Sequence, residues 1–332
     1  SDGSNYTMLC KPGDDLRKDG RMMEFNHALN ALLSKAHRKS APRVRTFAVV
    51  PLGEEWGVVE WVHNTRPLRF VLEDNYRVRG MWNDTNAPEN TVRRIRQWYE
   101  AFPGYAQKPQ AVRDPAALLR GVLKMFPPVL HSWFLSTYVE PSVWYLHKSN
   151  FTRSCAVWSM VGYVVGLGDR HGENILLDAA TGSVLHIDFS CLFDRGLNLE
   201  CPEVVPFRLT HNVVDGFGVE GVDGMYRKAC CSVLAVLREE RNTLESVLEA
   251  FVHDPLFEWA RDGSAAAAAR DALSRIKERL SGIVVTAVER LQRGGHAPSL
   301  PMSVDGQVRK LIADATNHEL LGRMYIWWMP FW

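Results

Sequence analysis

Only six cysteines are spread over 332 residues, and no two form a C-x-x-C pair. In a chain of this size that pattern excludes a disulfide scaffold or a zinc framework and points to free thiols in a reducing compartment. An excess of charge of one sign is also lacking. Lys and Arg number 39 against 38 Asp and Glu, a net charge of +1, so no global bias toward nucleic acid or an acidic membrane exists. No apolar run approaches the ~20 residues of a membrane span. The first residues, "SDGSNYTMLCK", have neither the basic start nor the apolar stretch of a signal peptide. No internal repeat is present. What is there is an apolar fraction of 46%, enough to build a core for one large domain or two ordinary ones.

Periodicity divides the chain into a small strand-rich part, a large helical part and a short C-terminal appendix. Residues 5–11 read as a strand. "DDLRKDGRMMEFNHALNALLSKAHRK" reads as a helix, with Met22, Met23, Phe25, Leu29, Leu32 and Leu33 near helical spacing. Its acids cluster early and its bases late, as the helix dipole favours. "RVRTFAVVPL" and "WGVVEWV" predict two strands around a turn at Gly53–Glu55. Helices are expected over Thr91–Phe102, Asp114–Phe126, Thr152–Val165, Val222–Arg241, Thr243–His253 and Ala265–Arg293. "GGHAPSLPMS" then reads as a linker.

The densest chemistry lies in "VVGLGDRHGENILLDAATGSVLHIDFSCLF", residues 164–193. Two short apolar runs, Ile175–Leu177 and Val184–Ile187, flank "DAATGS", a hairpin signal. Pairing symmetric about Thr181 sets Ile175 opposite Ile187 and Leu177 opposite Leu185. Paired strands lie ~5 Å apart, so Asn174 and Asp188 emerge together at the open end of the hairpin. Asn with Asp is the pair that protein kinases use to hold Mg²⁺ on ATP phosphates. Asp169 precedes Asn174 by five residues, the same step as in H-R-D-x-x-x-x-N. Asp169 would orient an attacking hydroxyl and accept its proton. His171 would donate to the transferring phosphoryl oxygens. A zinc site on His171, His186 and Asp188 is an alternative, although His186 is expected to point away from Asp188. Ordinary turn chemistry is another.

"GDRHGENILLD…HIDF" resembles the catalytic loop and metal-binding segment of the phosphatidylinositol-3-kinase-related kinases. "MLCKPGDDLRKDGRMMEF" resembles the family's lysine strand and following helix, and "EWGVVEWVHNT" its hinge. "MSVDGQVRKLIADATNHELLGRMYIWWMPFW" resembles its FATC domain. "PEVVPFRLTHNVVDGFGVEGVDGMYRKAC" and "FVHDPLFEW" are most similar to the ATR-type checkpoint branch. The resemblance implies an α+β, bilobal PI3/PI4-kinase-like fold. Residues 1–63 would form a truncated strand-rich N-lobe, 64–258 a helical C-lobe, 259–299 a regulatory helical segment with linker, and 300–332 a helical FATC domain.

By the same resemblance Lys11 contacts the ATP α/β-phosphates, Asp14 pairs with it, and Asp19 is a second acid facing the phosphate site. Backbone groups of Glu60 and Val62 meet adenine while Trp61 packs on its face. Asp169 and His171 are the catalytic pair, and Asn174 and Asp188 hold Mg²⁺ or Mn²⁺. Two positions depart from the family pattern: Phe47 replaces a tyrosine whose hydroxyl reaches the acid at Asp19, and Trp327 replaces a glycine.

The activity implied is transfer of the ATP γ-phosphate to Ser or Thr followed by Gln, in nuclear DNA-damage and replication-stress signalling. The partners implied are protein substrates and a regulatory subunit of the ATR-interacting type, within a large homodimeric or heteromeric complex. No direct nucleic-acid or membrane contact is expected. The segment after Asp188 carries Asp194, Glu200 and Glu203 against Arg195, a net −2, which disfavours an anionic lipid head group. A lipid kinase and a non-catalytic kinase-like scaffold are the rival readings. The phosphate-covering loop that a kinase needs is expected upstream of Ser1. Residues 1–332 alone are therefore expected to bind Mg-ATP poorly, which a nucleotide titration checks.

Overall fold

Alternation of apolar and polar residues builds a first antiparallel sheet from β1 (Met8–Pro12), β2 (Val49–Pro51) and β3 (Trp56–Glu60), ordered β1-β3-β2. The computed structural model describes residues 6–36, 42–85, 90–105, 111–252, 265–293 and 300–332. Residues 1–5, much of "KAHRK" and most of the expected linker lie outside them. The strands are shorter than their sequence signals. Met8 stands opposite Glu60 and Val49 opposite Val59. Helix α1 (Arg17–Ala36) starts three residues later than its acidic run and buries Met22, Met23, Phe25, Leu29 and Leu33 along one stripe.

A second sheet joins β4 (Thr65–Pro67), β5 (Ile175–Asp178) and β6 (Val184–His186) in the order β4-β5-β6. Its hairpin corrects the expected register. Ile175 faces His186, Leu176 faces Leu185 and Leu177 faces Val184. The cause is the turn. Asp178 N–H donates to Ser183 O at 2.9 Å and Gly182 N–H to Asp178 O at 2.7 Å, leaving an even number of loop residues where symmetry about Thr181 needs an odd one. Gly182 has φ +74°, and a Cβ there would meet His147 O at 2.4 Å. Leu176 and Leu185 consequently share one face of the hairpin, while Ile175 and His186 share the other.

That other face rests on α6 (Pro141–Val165), where His186 stacks on Trp158 at 4.3 Å. The expected helix began at Thr152. The observed one starts with Pro141 in its first turn, capped by Glu140, whose carboxylate accepts the Val143 N–H at 2.9 Å. Every residue from Ala156 to Val165 is buried. With no polar face, that half carries little amphipathic period. It ends at Gly166 with φ +62°, the usual left-handed helix stop.

The remaining helices complete the helical body. Before α6 come α2 (Leu68–Val78), α3 (Thr91–Ala101), α4 (Pro115–Met125) and α5 (Leu130–Thr137). After it come α7 (His211–Gly216), α8 (Arg227–Glu239), α9 (Arg241–Val252), α10 (Ala265–Leu280), α11 (Ala287–Arg293), α12 (Val304–Ala315) and α13 (His318–Leu321). The single helix expected over Ala265–Arg293 is broken between α10 and α11, where Gly282 takes φ +86°. Among the described residues no helix is long and apolar enough to cross a membrane.

The aromatic tail "MYIWWMPFW" folds back onto the helical body. Phe331 stacks on Phe126 at 5.5 Å, and Trp332 packs on Trp82 at 4.9 Å and near Tyr76 at 6.0 Å. Phe331 and Trp332 are buried, whereas Tyr325 is 50% exposed. Phe331→Ala is expected to remove about 3–5 kcal/mol of stability in a denaturant titration. Tyr325→Ala is expected to change it by less than about 1 kcal/mol.

Candidate active site

Strand β1 carries Lys11 to the inner end of a 490 Å³ cleft between the two sheets. Its Nζ lies 3.0 Å from Asp14 Oδ2. Burial works against the ammonium, but Asp14, Asp19 and Asp188 together hold its pKa above the ordinary 10.5. Asp14 is exposed and stays behind the lysine, outside the cleft lining. Asp19, in the first turn of α1, does line it. Burial, with the Asp188 carboxylate beside it, pushes Asp19 up from 3.8 to about 6, against the pull of Lys11. Phe47 lines the same cleft and offers no hydroxyl to Asp19.

Glu60, Trp61 and Val62 form the cleft's rim where β3 turns toward β4. The Glu60 N–H is taken by Ala48 O at 2.8 Å and the Trp61 N–H by Thr7 O at 2.9 Å. Trp61 is 52% exposed. Leu9, Val59, Leu176, Leu185 and Ile187 give the cleft apolar walls. An apolar slot with a charged, oxygen-rich end suits a flat base bearing an anionic chain.

Asn174 and Asp188 both line that charged end. Asn174 Nδ2 donates to Asp169 O at 2.9 Å and to Asp169 Oδ2 at 3.3 Å. Among the described residues no donor reaches Asn174 Oδ1. Asp188 takes φ +59°, which breaks the strand alternation and turns its carboxylate into the cleft while His186 faces α6. Burial would raise Asp188, yet the Ser190 N–H, Arg170 and Lys11 hold it below 3.8. An ionised carboxylate and a free amide oxygen are hard ligands. Mg²⁺ characteristically takes one or two such groups and completes its shell with phosphates and water, so this pair fits a metal-nucleotide. No cluster of three or more His, Cys, Asp or Glu arranged to hold a metal occurs among the described residues, which removes support from the zinc alternative.

Asp169 and His171 line a different, adjoining cleft of 280 Å³, together with Glu203, Tyr325 and Trp327. Glu173 borders both clefts. The window read as one site is thus a partition, with the nucleotide-type groups on one side and the acid and histidine on the other. His171 Nδ1 accepts the Glu173 N–H at 3.2 Å, which assigns the neutral ring's proton to Nε2. Burial lowers the His171 pKa below 6.5 despite Asp169 and Glu173 nearby. The neutral Nε2–H is a donor at the cleft, 3.9 Å from Asp169 Oδ2.

Three further residues hold this arrangement and were not among the site residues expected from the sequence. Buried Arg170 donates to Gly168 O and Ile187 O, each at 2.8 Å, and to Asp188 O. Glu203 Oε2 accepts the Asp169 N–H at 2.8 Å. Arg208 donates to carbonyls of the C-terminal tail. The Arg of "DRH" was visible, but nothing local marks its acceptors.

Residues 5–261 match the phosphatidylinositol 3- and 4-kinase family, and residues 301–332 match the FATC domain. The chain belongs to that kinase family. Serine/threonine-protein kinase ATR of Oryza sativa subsp. indica is 49% identical across the whole chain, and that of Arabidopsis thaliana 47%. Protein kinase rad3 of Schizosaccharomyces pombe is 41% identical. The chain spans 12–13% of the length of these relatives. Among solved structures, the FAT and kinase domain of CtTel1 superposes over the whole chain with TM-score 0.83 at 31% identity, covering 22% of that chain. The family assignment agrees with the α+β, kinase-like expectation.

Asp19 makes the cleft pH-dependent. The unfolded chain ionises this group from about 3.8, whereas the folded protein resists until about 6. The resulting destabilisation is complete above about pH 6 and absent below about 3.8. Asp19→Asn is therefore expected to raise folding stability at neutral pH by an amount on the order of 1–3 kcal/mol. The gain should shrink as pH falls through about 6, as thermal melts of both forms at stepped pH would record.

Proposed function

We propose that this chain carries the phosphoryl-transfer centre of a serine/threonine protein kinase that uses ATP and Mg²⁺ or Mn²⁺. Residues 1–63 and 64–258 act as the two lobes, 259–299 as a regulatory segment, and 300–332 as the tail domain. The adenine occupies the apolar slot beside Trp61, with the Glu60 and Val62 backbone at its edge. Lys11, oriented by Asp14, meets the α/β-phosphates, and Asp19 faces them. Asn174 Oδ1 and the Asp188 carboxylate hold the metal, which supplies charge neutralisation on the phosphates when bound. A substrate hydroxyl enters from the second cleft. Asp169 orients it and takes its proton as the Oγ–P bond forms and the bond from the γ-phosphorus to the β,γ-bridging oxygen breaks, with ADP as the leaving group, and the Nε2–H of His171 donates to the transferring phosphoryl oxygens.

The observation that carries a protein rather than a lipid substrate is the charge of the second cleft. Arg69 is the one arginine or lysine on its described lining, and its guanidinium already pairs with Glu73 at 2.8 Å and Glu173 at 2.5 Å. An anionic head group would find no free cation there. The sequence-level count of −2 overstates the case. Asp194 is tied to Arg279 at 2.6 Å and Arg275 at 3.1 Å, and Glu203 points inward to Asp169. A scaffold role is disfavoured because lysine, acid, amide and metal carboxylate are all in place.

The likeness to ATR and rad3 kinases supports Ser/Thr-Gln substrates, checkpoint signalling in the nucleus, a regulatory partner subunit and a large assembly. Tel1 kinases form symmetric dimers in solved structures, which supports a homodimeric form. Labelled phosphate is expected to pass from ATP to a Ser-Gln peptide and not to phosphoinositide vesicles when the full-length protein is assayed. Asp169→Asn is expected to lower kcat by roughly 10²–10⁴-fold with nucleotide affinity retained. Efficient lipid labelling, or an Asp169→Asn form of normal activity, would sink the reading.

A further inference from the structure

Residues 203–208 touch both the catalytic loop and the C-terminal tail. Glu203 reaches the loop through a passage kept open by two glycines: a Cβ on Gly168 or on Gly196 would sit 2.5 Å from Glu203 Oε2. At the end of that passage the carboxylate accepts the N–H of Asp169 at 2.8 Å. Asp169 itself takes φ +57°, a conformation that non-glycine residues adopt only when their surroundings impose it.

Five residues further on, Arg208 is fully enclosed. Its Nη1 donates to Trp328 O at 2.7 Å and approaches Arg170 O at 3.4 Å. Its Nη2 donates to Met329 O at 2.9 Å and Trp332 O at 3.2 Å. Trp328 also lays its ring 4.4 Å from the guanidinium carbon. No Asp or Glu side chain lies within ion-pair distance of Arg208 among the described residues. A buried cation held by main-chain oxygens of the tail is stable only while they stay in place.

We propose that Glu203 and Arg208 are positioning residues for phosphoryl transfer: Glu203 holds the Asp169 backbone in its left-handed turn, and Arg208 anchors that segment to the C-terminal tail. The tail thereby sets the geometry of the hydroxyl-activating acid without touching the nucleotide cleft, since neither residue lines the cleft of Lys11 and Asp188. This rests on the role proposed for Asp169.

The test measures kcat and the KM for ATP of the full-length protein. Glu203→Asp keeps the charge but withdraws it from the Asp169 amide, and is expected to lower kcat roughly 10- to 100-fold with the ATP KM unchanged. Glu203→Gln keeps an acceptor oxygen in place and is expected to stay within about 5-fold of the parent. Arg208→Lys, which cannot span the same set of carbonyls, is expected to follow Glu203→Asp. A Glu203→Asp protein with parental kcat, or one whose ATP KM rises in step with its loss of kcat, would overturn the proposal. So would a Gln form as poor as the Asp form. If Asp169→Asn abolishes transfer while these variants leave kcat intact, the positioning role fails and the kinase reading stands. Normal activity of Asp169→Asn would remove the kinase reading itself.

Discussion

Arg170 lies almost wholly inside the protein, and its charge is met by carbonyl oxygens rather than by a carboxylate. Gly168 O, Ile187 O and Asp188 O accept its donors. The first belongs to the loop that carries Asp169 and His171, and the other two to the segment that carries the metal-type ligand Asp188. Moving either loop alone would leave a buried guanidinium unsatisfied, which is among the most costly local defects a protein can carry. The two sides of the candidate site are therefore held as one body. Burial lowers the Arg170 pKa, with Asp188, Asp169 and Glu203 opposing that fall.

Backbone strain gathers around this fixed point. Asp169, Asp188, Phe193 and Asp194 all take positive φ, on the order of 1–3 kcal/mol each. Local partners offset it. Glu203 holds Asp169, the Ser190 N–H and Arg170 hold Asp188, and Arg275 with Arg279 hold Asp194. The Asp194 pair also fastens α10 to the stop of α6, where Asp194 N–H donates to Gly166 O at 2.9 Å. A helix remote in sequence thus supports the segment after Asp188. The C-terminal tail supports the other end of that segment through Arg208. What separates the two clefts is a loop braced from behind by groups that face neither of them.

Much of this was legible in the chain. Asn174 and Asp188 flank a hairpin whose turn residues declare it, which sets them at its open end, but with the register one residue out it is the positive φ of Asp188 that turns its carboxylate to the cleft face. The stripe of Met22, Phe25, Leu29 and Leu33 predicted the buried face of α1. Other features left no local trace. The first half of α6 escaped notice because polar residues thin its pattern, and the second half because burial on every side removes the pattern. β4 is three residues long and becomes a strand only by pairing with β5, Thr65 opposite Asp178.

By itself the sequence determined which groups are available and how nearby ones are spaced: an acid five residues before an amide, a carboxylate after a hairpin, a lysine on a short strand. Those relations survive in the fold because they are set by covalent geometry and hydrogen bonds within a few residues. Tertiary structure alone decided that the acid and histidine face a cleft separate from the lysine, that Trp327 and Tyr325 wall that cleft, and that Glu203 and Arg208 join it to the tail. Each of these depends on which distant carbonyl or amide meets a buried charge, and that pairing exists only once the helical body has closed around it.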